Sequence, residues 1–210
     1  MQLYFTPMTC SLASRMALCH AGLDAETEFL AVSLQDKRVA DGRDYLEVNP
    51  KGAVPALVTR EGQLLTESLA VLQYIADLAP ESRLAPPQGS FQRVRLQEWL
   101  SFVACELHKA VFYSIFHPEA PEQGRQFARE VLAPPRLGRV NEQLTHQPFL
   151  LKDWGFTVAD AYLATVLNWC RSAGIDLDRW PHLKAFHARV LELEGVARAQ
   201  QEEYRIWTAA

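Results

Sequence analysis

The sequence lacks the features that would direct a chain into or across a membrane. No run approaches the roughly 20 consecutive apolar residues that a membrane-spanning helix requires. The first residues also lack the charged region and the long apolar core of a signal peptide. We therefore expect a cytoplasmic protein with no membrane partner.

Dense basic segments and paired cysteines are missing as well. The formal net charge is -4 and no segment is rich in lysine and arginine, which argues against a nucleic-acid partner bound through its phosphates. The four cysteines, at positions 10, 19, 105 and 170, form no Cys-x-x-Cys pair and show no Cys/His spacing typical of zinc. The sequence predicts neither a disulfide framework nor a metal site.

The sequence does contain enough apolar residues for a sizeable core and two domains. Of its 210 residues, 49% are hydrophobic and 22% are charged, which is ordinary for a globular protein. Over residues 1–80 the patterns predict a strand, a helix, a strand, a short helix, a hairpin and a helix. Gly22 is predicted to end the first helix.

Residues 81–89 contain prolines and a glycine with few apolar residues and are predicted to be a linker. From residue 90 to residue 210 the apolar residues recur at helical spacing, which predicts an all-α second domain. We expect Pro134-Pro135 to break one of its helices, Thr157 and Asp160 to form a capping box, and 195–200 to form a short last helix.

Cys10 lies where an aromatic strand, Gln2–Phe5, is predicted to give way to a helix that begins near Ser11. The unpaired N–H groups and the positive dipole end of a helix start favour a thiolate there, which predicts a reactive cysteine with a lowered pKa. The alternative is a small buried hydrophobe, which is a common role for cysteine. This stretch alone supports both interpretations equally.

Two further sites have local patterns with two interpretations each. Val54-Pro55 enters the predicted hairpin, and the proline is either a trans residue on an edge strand or a cis residue that turns the backbone of Val54 toward a peptide-like ligand. Glu67 and Ser68 precede a helix, where they either cap the helix or help to bind a carboxylate.

The order of these motifs resembles the cytosolic glutathione transferases, and among them the bacterial beta class. The resemblance depends on the strings LYFTP with CSLA, VNPKGAVPAL and LTES in the first domain, and on EWL, ELHK and FTVADAYL in the second. Each string alone is weak, but their order and spacing across most of the chain are specific. The implied fold is α/β plus all-α: a thioredoxin-like domain (β-α-β-α-β-β-α) followed by a helical bundle.

By this resemblance Cys10 faces the glutathione sulfur and Ser11 donates a hydrogen bond beside it. The backbone of Val54, turned outward by a cis Pro55, pairs with the cysteinyl unit of glutathione as an added strand. The remaining glutathione contacts that the resemblance implies in the first domain are the γ-glutamyl end at Glu67 and Ser68, and the glycyl carboxylate at Lys37.

The resemblance also implies that His108, on the long helix of the second domain, approaches Cys10 across the domain cleft. A histidine titrates near neutral pH and can donate to a thiolate or take its proton. Without the resemblance, a solvated helix histidine is the simpler interpretation. Four neighbours complete the predicted glutathione site, namely Ser101, Cys105, Glu106 and Lys109, and helical spacing lets Ser101, Cys105 and His108 line one face.

The main functional hypothesis is a homodimeric glutathione transferase that conjugates glutathione to a small apolar electrophile, with the thiolate held near Cys10 and His108. Glutathione is then a co-substrate and no cofactor is expected. Two alternatives are a glutaredoxin-like thiol-disulfide oxidoreductase that uses Cys10 as nucleophile, and a ligand carrier of the same fold without turnover.

Met8 and Trp207 are among the residues that depart from the family pattern. Met8 stands where many relatives have glycine and adds bulk beside Cys10. Trp207 lies in an unusual aromatic tail, where it either covers an apolar site or simply packs against the protein.

Overall fold

The computed structural model describes residues 1–209 and divides into two compact units. Unit 1 comprises Met1–Leu84 together with the segment that begins at Glu192, and unit 2 comprises Ala85–Leu191. The boundary at Leu84 falls inside the predicted linker. The segment after Glu192 belongs to unit 1, whereas the sequence assigned it to a second domain of residues 90–210, whose last residue lies outside the described residues.

Unit 1 is built on a mixed β-sheet, as the resemblance implies. Its strands in the described residues are β1 Gln2–Phe5, β2 Glu28–Ser33, β3 Arg38–Val39, β4 Ala56–Val58 and β5 Leu64–Thr66. The order in the sheet is β3-β2-β1-β4-β5. Strands β1 and β2 are parallel, and the other neighbouring pairs are antiparallel. Strand β1, whose last three residues are buried, is therefore central.

The predicted hairpin is confirmed, and one strand was missed. Strands β4 and β5 pair with Leu57 opposite Leu65, and the connecting turn contains Gly62 at φ 78. Strand β3 has only two residues, too few to show any alternation of apolar and polar side chains. It forms because Val39 pairs with Val32 and is buried with it.

Three helices surround the sheet in the first part of unit 1: α1 Leu12–His20, α2 Tyr45–Val48 and α3 Ser68–Leu78. Short 3₁₀ turns cover Asp24–Glu26 and Pro80–Ser82. Helix α1 ends as predicted at Gly22, which has φ 70. The N–H groups of Gly22 and Leu23 donate to the carbonyls of Cys19 and Leu18 at 3.3 and 2.9 Å, which is the Schellman pattern.

The last helix, α10 Glu194–Ala209, completes unit 1 by packing on α1. The sequence predicted only a short helix over residues 195–200. Its polar residues after that point form part of the contact: Glu202 pairs with Arg15 of α1 at 2.7 Å, and Glu203 is completely buried. A polar stretch of this kind is stable as a helix because its charged residues have partners on a distant segment.

Unit 2 begins with the long predicted helical segment. Helix α4 Phe91–Phe102 continues as a π-helical stretch Val103–Tyr113 and ends in α5 Ser114–Phe116. Ser90 caps its start by accepting a hydrogen bond from the N–H of Arg93 at 3.1 Å. The π-helical part contains His108.

The next helical segment is not broken at Pro134-Pro135, so that prediction was wrong. It consists of α6 Glu122–Phe127, a π-helical stretch Ala128–Leu132 and α7 Ala133–Gln143, which follow one another without interruption. Proline lacks an N–H and its ring conflicts with the carbonyl four residues earlier in an α-helix. The π-helical hydrogen bonding before the prolines changes this spacing, and the prolines then occupy the first turn of α7, where proline is tolerated.

The remaining helices of unit 2 are α8 Val158–Leu167 and α9 Pro181–Leu191, with a 3₁₀ turn at Leu177–Arg179. The predicted capping box is confirmed: the Asp160 carboxylate accepts from the N–H of Thr157 at 2.9 Å, and α8 is buried along its whole length. None of the helices in residues 1–209 has both the length and the apolar character needed to cross a membrane.

Candidate active site

Cys10 lies where the chain leaves β1 and enters α1, as predicted. Ser11 is the N-cap residue of α1, so Cys10 comes one residue before it. The thiol is half-buried and donates a hydrogen bond to the carbonyl oxygen of Val54 at 3.1 Å. The N–H groups of Leu12, Ala13 and Ser14 donate to the carbonyls of Thr9, Cys10 and Ser11, so they are not the unpaired groups that the sequence predicted. The dipole of α1 favours negative charge at this place, which suits a sulfur nucleophile.

A tight turn before Cys10 sets its position. The N–H of Thr9 donates to the carbonyl of Thr6 at 3.2 Å, Pro7 occupies the second place, and Met8 in the third place has φ 61. These are the features of a type II turn, whose third residue requires positive φ and favours glycine. Met8 therefore adopts a left-handed conformation that costs a residue with a Cβ roughly 1–2 kcal/mol.

Ser11 has its hydroxyl engaged inside this loop. The Oγ atom donates to the carbonyl of Thr6 at 3.1 Å, accepts from the N–H of Thr6 at 3.2 Å and lies 3.0 Å from the hydroxyl of Thr9. The residue is completely buried. Ser11 thus closes the loop around Cys10, while its predicted hydrogen bond to glutathione stays a prediction.

The Val54-Pro55 peptide bond is cis. The loop before it is held by two side chains, because the Tyr45 hydroxyl and the Asn49 amide donate to the carbonyl of Ala53 at 2.7 and 2.8 Å. Burial raises the pKa of Tyr45 to about 12, so its hydroxyl keeps the proton that it donates. Val54 is consequently fixed opposite Cys10.

Glu67 and Ser68 lie at the start of α3. Glu67 is the N-cap residue, with φ 70 and ψ 123, and its side chain makes no capping hydrogen bond. Ser68 is the first helical residue rather than the cap. Lys51 lies beside them, because its Nζ atom is 2.7 Å from the Glu67 carboxylate and 3.0 Å from the hydroxyl of Thr66. Strained backbone at a helix start, with both charges exposed, is typical of a ligand site.

Lys37 also has φ above zero, at 55, and its Nζ atom donates to the carbonyl of Gly52 at 2.8 Å. The side chain is half-buried. In the structure Lys37 holds the loop that precedes Val54, and its predicted contact with the glycyl carboxylate is an additional role that stays a prediction.

His108 in unit 2 has aromatic surroundings. Its Nδ1 atom lies 2.7 Å from the Tyr162 hydroxyl, and its ring meets the ring of Trp169 edge to face with centroids 5.1 Å apart. Burial, with a smaller effect of Lys109, lowers the pKa of His108 to about 4. His108 is therefore neutral at pH 7, and the prediction that it titrates near neutrality was wrong because the sequence did not show this burial.

The other predicted residues of unit 2 have different environments. Ser101 and Cys105 are exposed, and Lys109 is exposed with its Nζ atom 4.7 Å from the centroid of the Tyr113 ring. Glu106 pairs with Arg136 at 2.8 Å. The π-helical hydrogen bonding of Val103–Tyr113 departs from the period of 3.6 residues on which a common face was predicted.

Three residues that the structure connects to these sites were not predicted. Lys51 lies in the VNPKGAVPAL motif, and its positive charge close to a turn was the available signal. Tyr162 also lay in a motif, but nothing local connects it with His108. Glu203, whose carboxylate accepts a hydrogen bond from the N–H of Met8 at 2.8 Å, gave no signal because its partner is 195 residues away in the sequence.

Comparisons with known proteins show the family of this chain. Residues 7–78 match the family model "Glutathione S-transferase, N-terminal domain", and residues 103–194 match "Glutathione S-transferase, C-terminal domain". Glutathione S-transferase GstA of Escherichia coli is 40% identical over 203 residues, which cover 97% of this chain and 98% of the relative.

Solved structures show the same likeness over nearly the whole length. A ternary complex of BphK, a bacterial glutathione S-transferase, has a TM-score of 0.92 at 46% identity and covers 97% of this chain and 99% of its own. A bacterial beta class glutathione S-transferase of Sphingomonas chungbukensis has a TM-score of 0.91 at 37% identity, with 97% and 98% covered. By its sequence and its fold, this chain belongs to the glutathione S-transferase family and is a transferase similar to the bacterial beta class.

Proposed function

We propose that this glutathione transferase conjugates glutathione to small apolar electrophiles and that the glutathione sulfur reacts beside Cys10. One observation carries the proposal: the half-buried thiol of Cys10 lies one residue before the N-cap of α1. The dipole of a helix start stabilises a negative sulfur. A second thiol beside Cys10 then loses its proton to solvent and attacks the electrophile as a thiolate, which expels the leaving group.

For the body of the glutathione molecule we propose three contacts in unit 1. The exposed carboxylate of Glu67 binds the α-ammonium, and the N-terminus of α3 at Ser68 binds the α-carboxylate. The backbone of Val54 pairs with the cysteinyl unit as an added strand. Lys37 meets the glycyl carboxylate.

The contribution of unit 2 is proposed on the family resemblance and on the state of His108. In the tautomer whose Nδ1 accepts from the Tyr162 hydroxyl, the neutral imidazole carries its proton on Nε2 and can donate it to a thiolate. The predicted role of His108 is tested by His108→Ala, which should lower kcat or raise the KM for glutathione. Unchanged values of both constants would contradict the role.

A second function is favoured by the same thiol. Because Cys10 itself carries a sulfur at the helix start, its thiolate can attack a mixed disulfide of glutathione. Cys10 then becomes glutathionylated and the other thiolate leaves. A second glutathione thiolate attacks this mixed disulfide, which releases the Cys10 thiolate and forms glutathione disulfide. This is thiol-disulfide exchange in place of conjugation.

The experiment that separates the two functions is Cys10→Ala, assayed with an aromatic halide and with a mixed disulfide of glutathione. A matched control is Cys170→Ala, since burial raises the pKa of Cys170 to about 12 and makes its thiol inert. If the protein is a transferase, we expect the wild-type protein to conjugate the halide. We expect Cys10→Ala to conjugate it at a different rate.

Loss of disulfide reduction alone, with conjugation intact, would make Cys10 an oxidoreductase nucleophile. Binding of glutathione without either activity in the wild type would contradict the proposed reaction and favour a ligand carrier. An effect of Cys170→Ala equal to that of Cys10→Ala would remove the evidence that the position of Cys10 matters.

The remaining proposals concern assembly and location. We propose a homodimer, as in the family, that needs glutathione as co-substrate and no cofactor. Sedimentation as a monomer at working concentration would contradict the dimer. We further propose a cytoplasmic location, supported by the four cysteines, none of which forms a disulfide within the described residues.

A further inference from the structure

A carboxylate from the C-terminal helix of unit 1 reaches the turn that precedes Cys10. Glu203 on α10 is fully buried, and its Oε2 atom accepts a hydrogen bond from the N–H of Met8 at 2.8 Å. Within residues 1–209 its other oxygen, Oε1, has no hydrogen-bond partner. The N–H of Met8 is therefore the one hydrogen-bond donor that this side chain meets in the described structure.

The turn needs such an acceptor. Met8 occupies the third place of the Thr6–Thr9 turn at φ 61, a conformation that is unfavourable for a residue with a Cβ. The N–H at that place is not used by the turn itself, whose hydrogen bond runs from Thr9 to Thr6. A carboxyl oxygen that accepts a hydrogen bond from this N–H offsets the cost of the left-handed conformation.

Helix α10 is well anchored for this task. Arg15 of α1 pairs with Glu202 at 2.7 Å, and its guanidinium lies over the Phe29 ring at 4.2 Å from the centroid. Gly195 lets the start of α10 approach the end of α1 so closely that a Cβ there would lie 2.7 Å from the backbone of His20. Glu203 is thus presented from a fixed helix to a strained turn.

We propose that Glu203 is a positioning residue for Cys10: by holding the N–H of Met8, it keeps the turn in the conformation that places the Cys10 thiol at the start of α1. This inference deepens the proposed function, because it assumes that sulfur chemistry takes place at Cys10. Cys10 follows Met8 by two residues, so a rotation of the turn moves the thiol relative to both α1 and Val54.

Two charged groups face Glu203, namely Arg15 and Glu202, and they shift its pKa in opposite directions. Burial raises the pKa of Glu203 to about 8, the hydrogen bond from Met8 and the charge of Arg15 lower it, and Glu202 raises it. Positioning requires an acceptor oxygen rather than a full charge. A protonated acid and an amide both supply that oxygen. Glu203→Gln therefore keeps the acceptor, whereas Glu203→Leu removes it.

The test measures the reactivity of Cys10 itself. Iodoacetamide alkylates thiolates, and the rate at Cys10 is followed from pH 5 to pH 10 by mass spectrometry of the peptide that contains it. Four variants are compared with wild type: Glu203→Leu removes the acceptor, Glu203→Gln keeps it, Glu203→Asp withdraws it by one methylene, and Gln201→Leu is the control at an exposed place on the same helix.

We expect Glu203→Leu to change the alkylation rate of Cys10 at pH 7 by about tenfold and to lower kcat more than it raises KM. Glu203→Gln and Gln201→Leu should keep the wild-type pH profile. A folded Glu203→Leu protein with the wild-type profile would overturn the proposal. If Glu203→Leu does not fold, Glu203→Asp decides in the same way, since a wild-type profile in that variant would show that the acceptor's position is irrelevant to Cys10.

Alkylation does not involve glutathione, so the two proposals can fail separately. An altered Cys10 profile in a protein without conjugating activity would contradict the proposed function and leave the positioning role intact. Normal conjugation by the wild type, together with an unaltered Cys10 profile in Glu203→Leu, would support the proposed function and contradict the positioning role.

Discussion

The Nδ1 atom of His108 and the hydroxyl of Tyr162 lie 2.7 Å apart, although 54 residues separate them in the sequence. Tyr162 is buried on α8, and the His108 ring packs between it and Trp169. This environment keeps the imidazole neutral over the range in which an exposed histidine titrates. The pair has a measurable consequence for stability at acid pH.

Acid should destabilise the protein through His108. The unfolded chain binds a proton at this residue near pH 6.5, whereas burial lowers the pKa in the folded protein to about 4. The unfolded state therefore binds more protons between these values, and the free energy of unfolding falls as the pH decreases from 6.5 to 4. We expect His108→Gln to remove about 2 kcal/mol of this pH dependence.

The measurement is the urea midpoint of wild type and variant at pH 7.5 and pH 4.5. His146→Gln is the control, because His146 is exposed. Equal acid sensitivity of wild type and His108→Gln would show that the ring is not shielded as described.

Gly195 should not tolerate a side chain. A Cβ at this residue would lie 2.7 Å from the backbone N and Cα of His20 and 2.8 Å from the carbonyl carbon of Cys19. Backbone atoms cannot move aside as side chains do, so Gly195→Ala should lower the free energy of unfolding by about 2 kcal/mol or more. Chemical denaturation gives the value.

The matched control for Gly195 is Gly138→Ala on α7. The nearest atom to a Cβ at Gly138 is 3.7 Å away, on the Trp180 ring. Alanine in a helix interior is favoured over glycine by about 0.5–1 kcal/mol, so this variant should be slightly more stable than wild type. Similar effects of the two substitutions would show that the contact between α10 and α1 is looser than the distances indicate.

Gly22 tests backbone conformation without any steric conflict. It has φ 70, and nothing lies within 4 Å of a Cβ built on it. Gly22→Ala should therefore cost about 1 kcal/mol of stability, through the left-handed conformation alone. Gly22→Asn should cost less, since asparagine adopts this conformation more readily. An asparagine variant as unstable as the alanine variant would contradict the explanation.

Asp160 should be among the most important polar residues of unit 2. Its carboxylate accepts from the N–H groups of Leu150 and Thr157 at 2.8 and 2.9 Å and from the Thr157 hydroxyl at 2.6 Å. Asp160→Ala leaves these buried donors without an acceptor and should cost about 3 kcal/mol.

The exposed 3₁₀ cap Asp176, which accepts from the N–H of Asp178 at 2.9 Å, provides the comparison for Asp160. Asp176→Ala should cost about 1 kcal/mol or less. The thermal midpoints of both variants give the result, and a smaller loss for Asp160→Ala than for Asp176→Ala would contradict the role assigned to burial.

The parts of the fold that could be predicted are those whose cause is local. Gly22 ends a helix because of its own backbone freedom, and the capping box at Thr157 depends on residues three positions apart. Strand β3 is too short to show an alternation of side chains, and the full length of α10 depends on contacts with the distant helix α1. The helix through Pro134 was mispredicted because a change of hydrogen-bond pattern before a proline leaves no mark in the apolar spacing.

The candidate site divides in the same way. Cys10 and Val54-Pro55 were recognisable because a proline marks the end or the start of a strand beside each of them, and because both lie in the family motifs. The pairing of Lys51 with Glu67 could not be predicted without the conformation of the folded loop. The lowered pKa of His108 could not be predicted without the residues that surround its ring. Glu203 carries no motif at all, and only the packing of α10 on α1 relates it to Met8.

The hydrogen bond between Met8 and Glu203 also sets an order of events during synthesis. Residues 1–84 leave the ribosome first, residues 85–191 follow, and Glu203 comes after both. While the chain is growing, the turn before Cys10 has no carboxylate to hold it. The loop that carries the thiol at residue 10 thus depends on a residue made 195 positions later, and translation must reach α10 before that loop can take its final form.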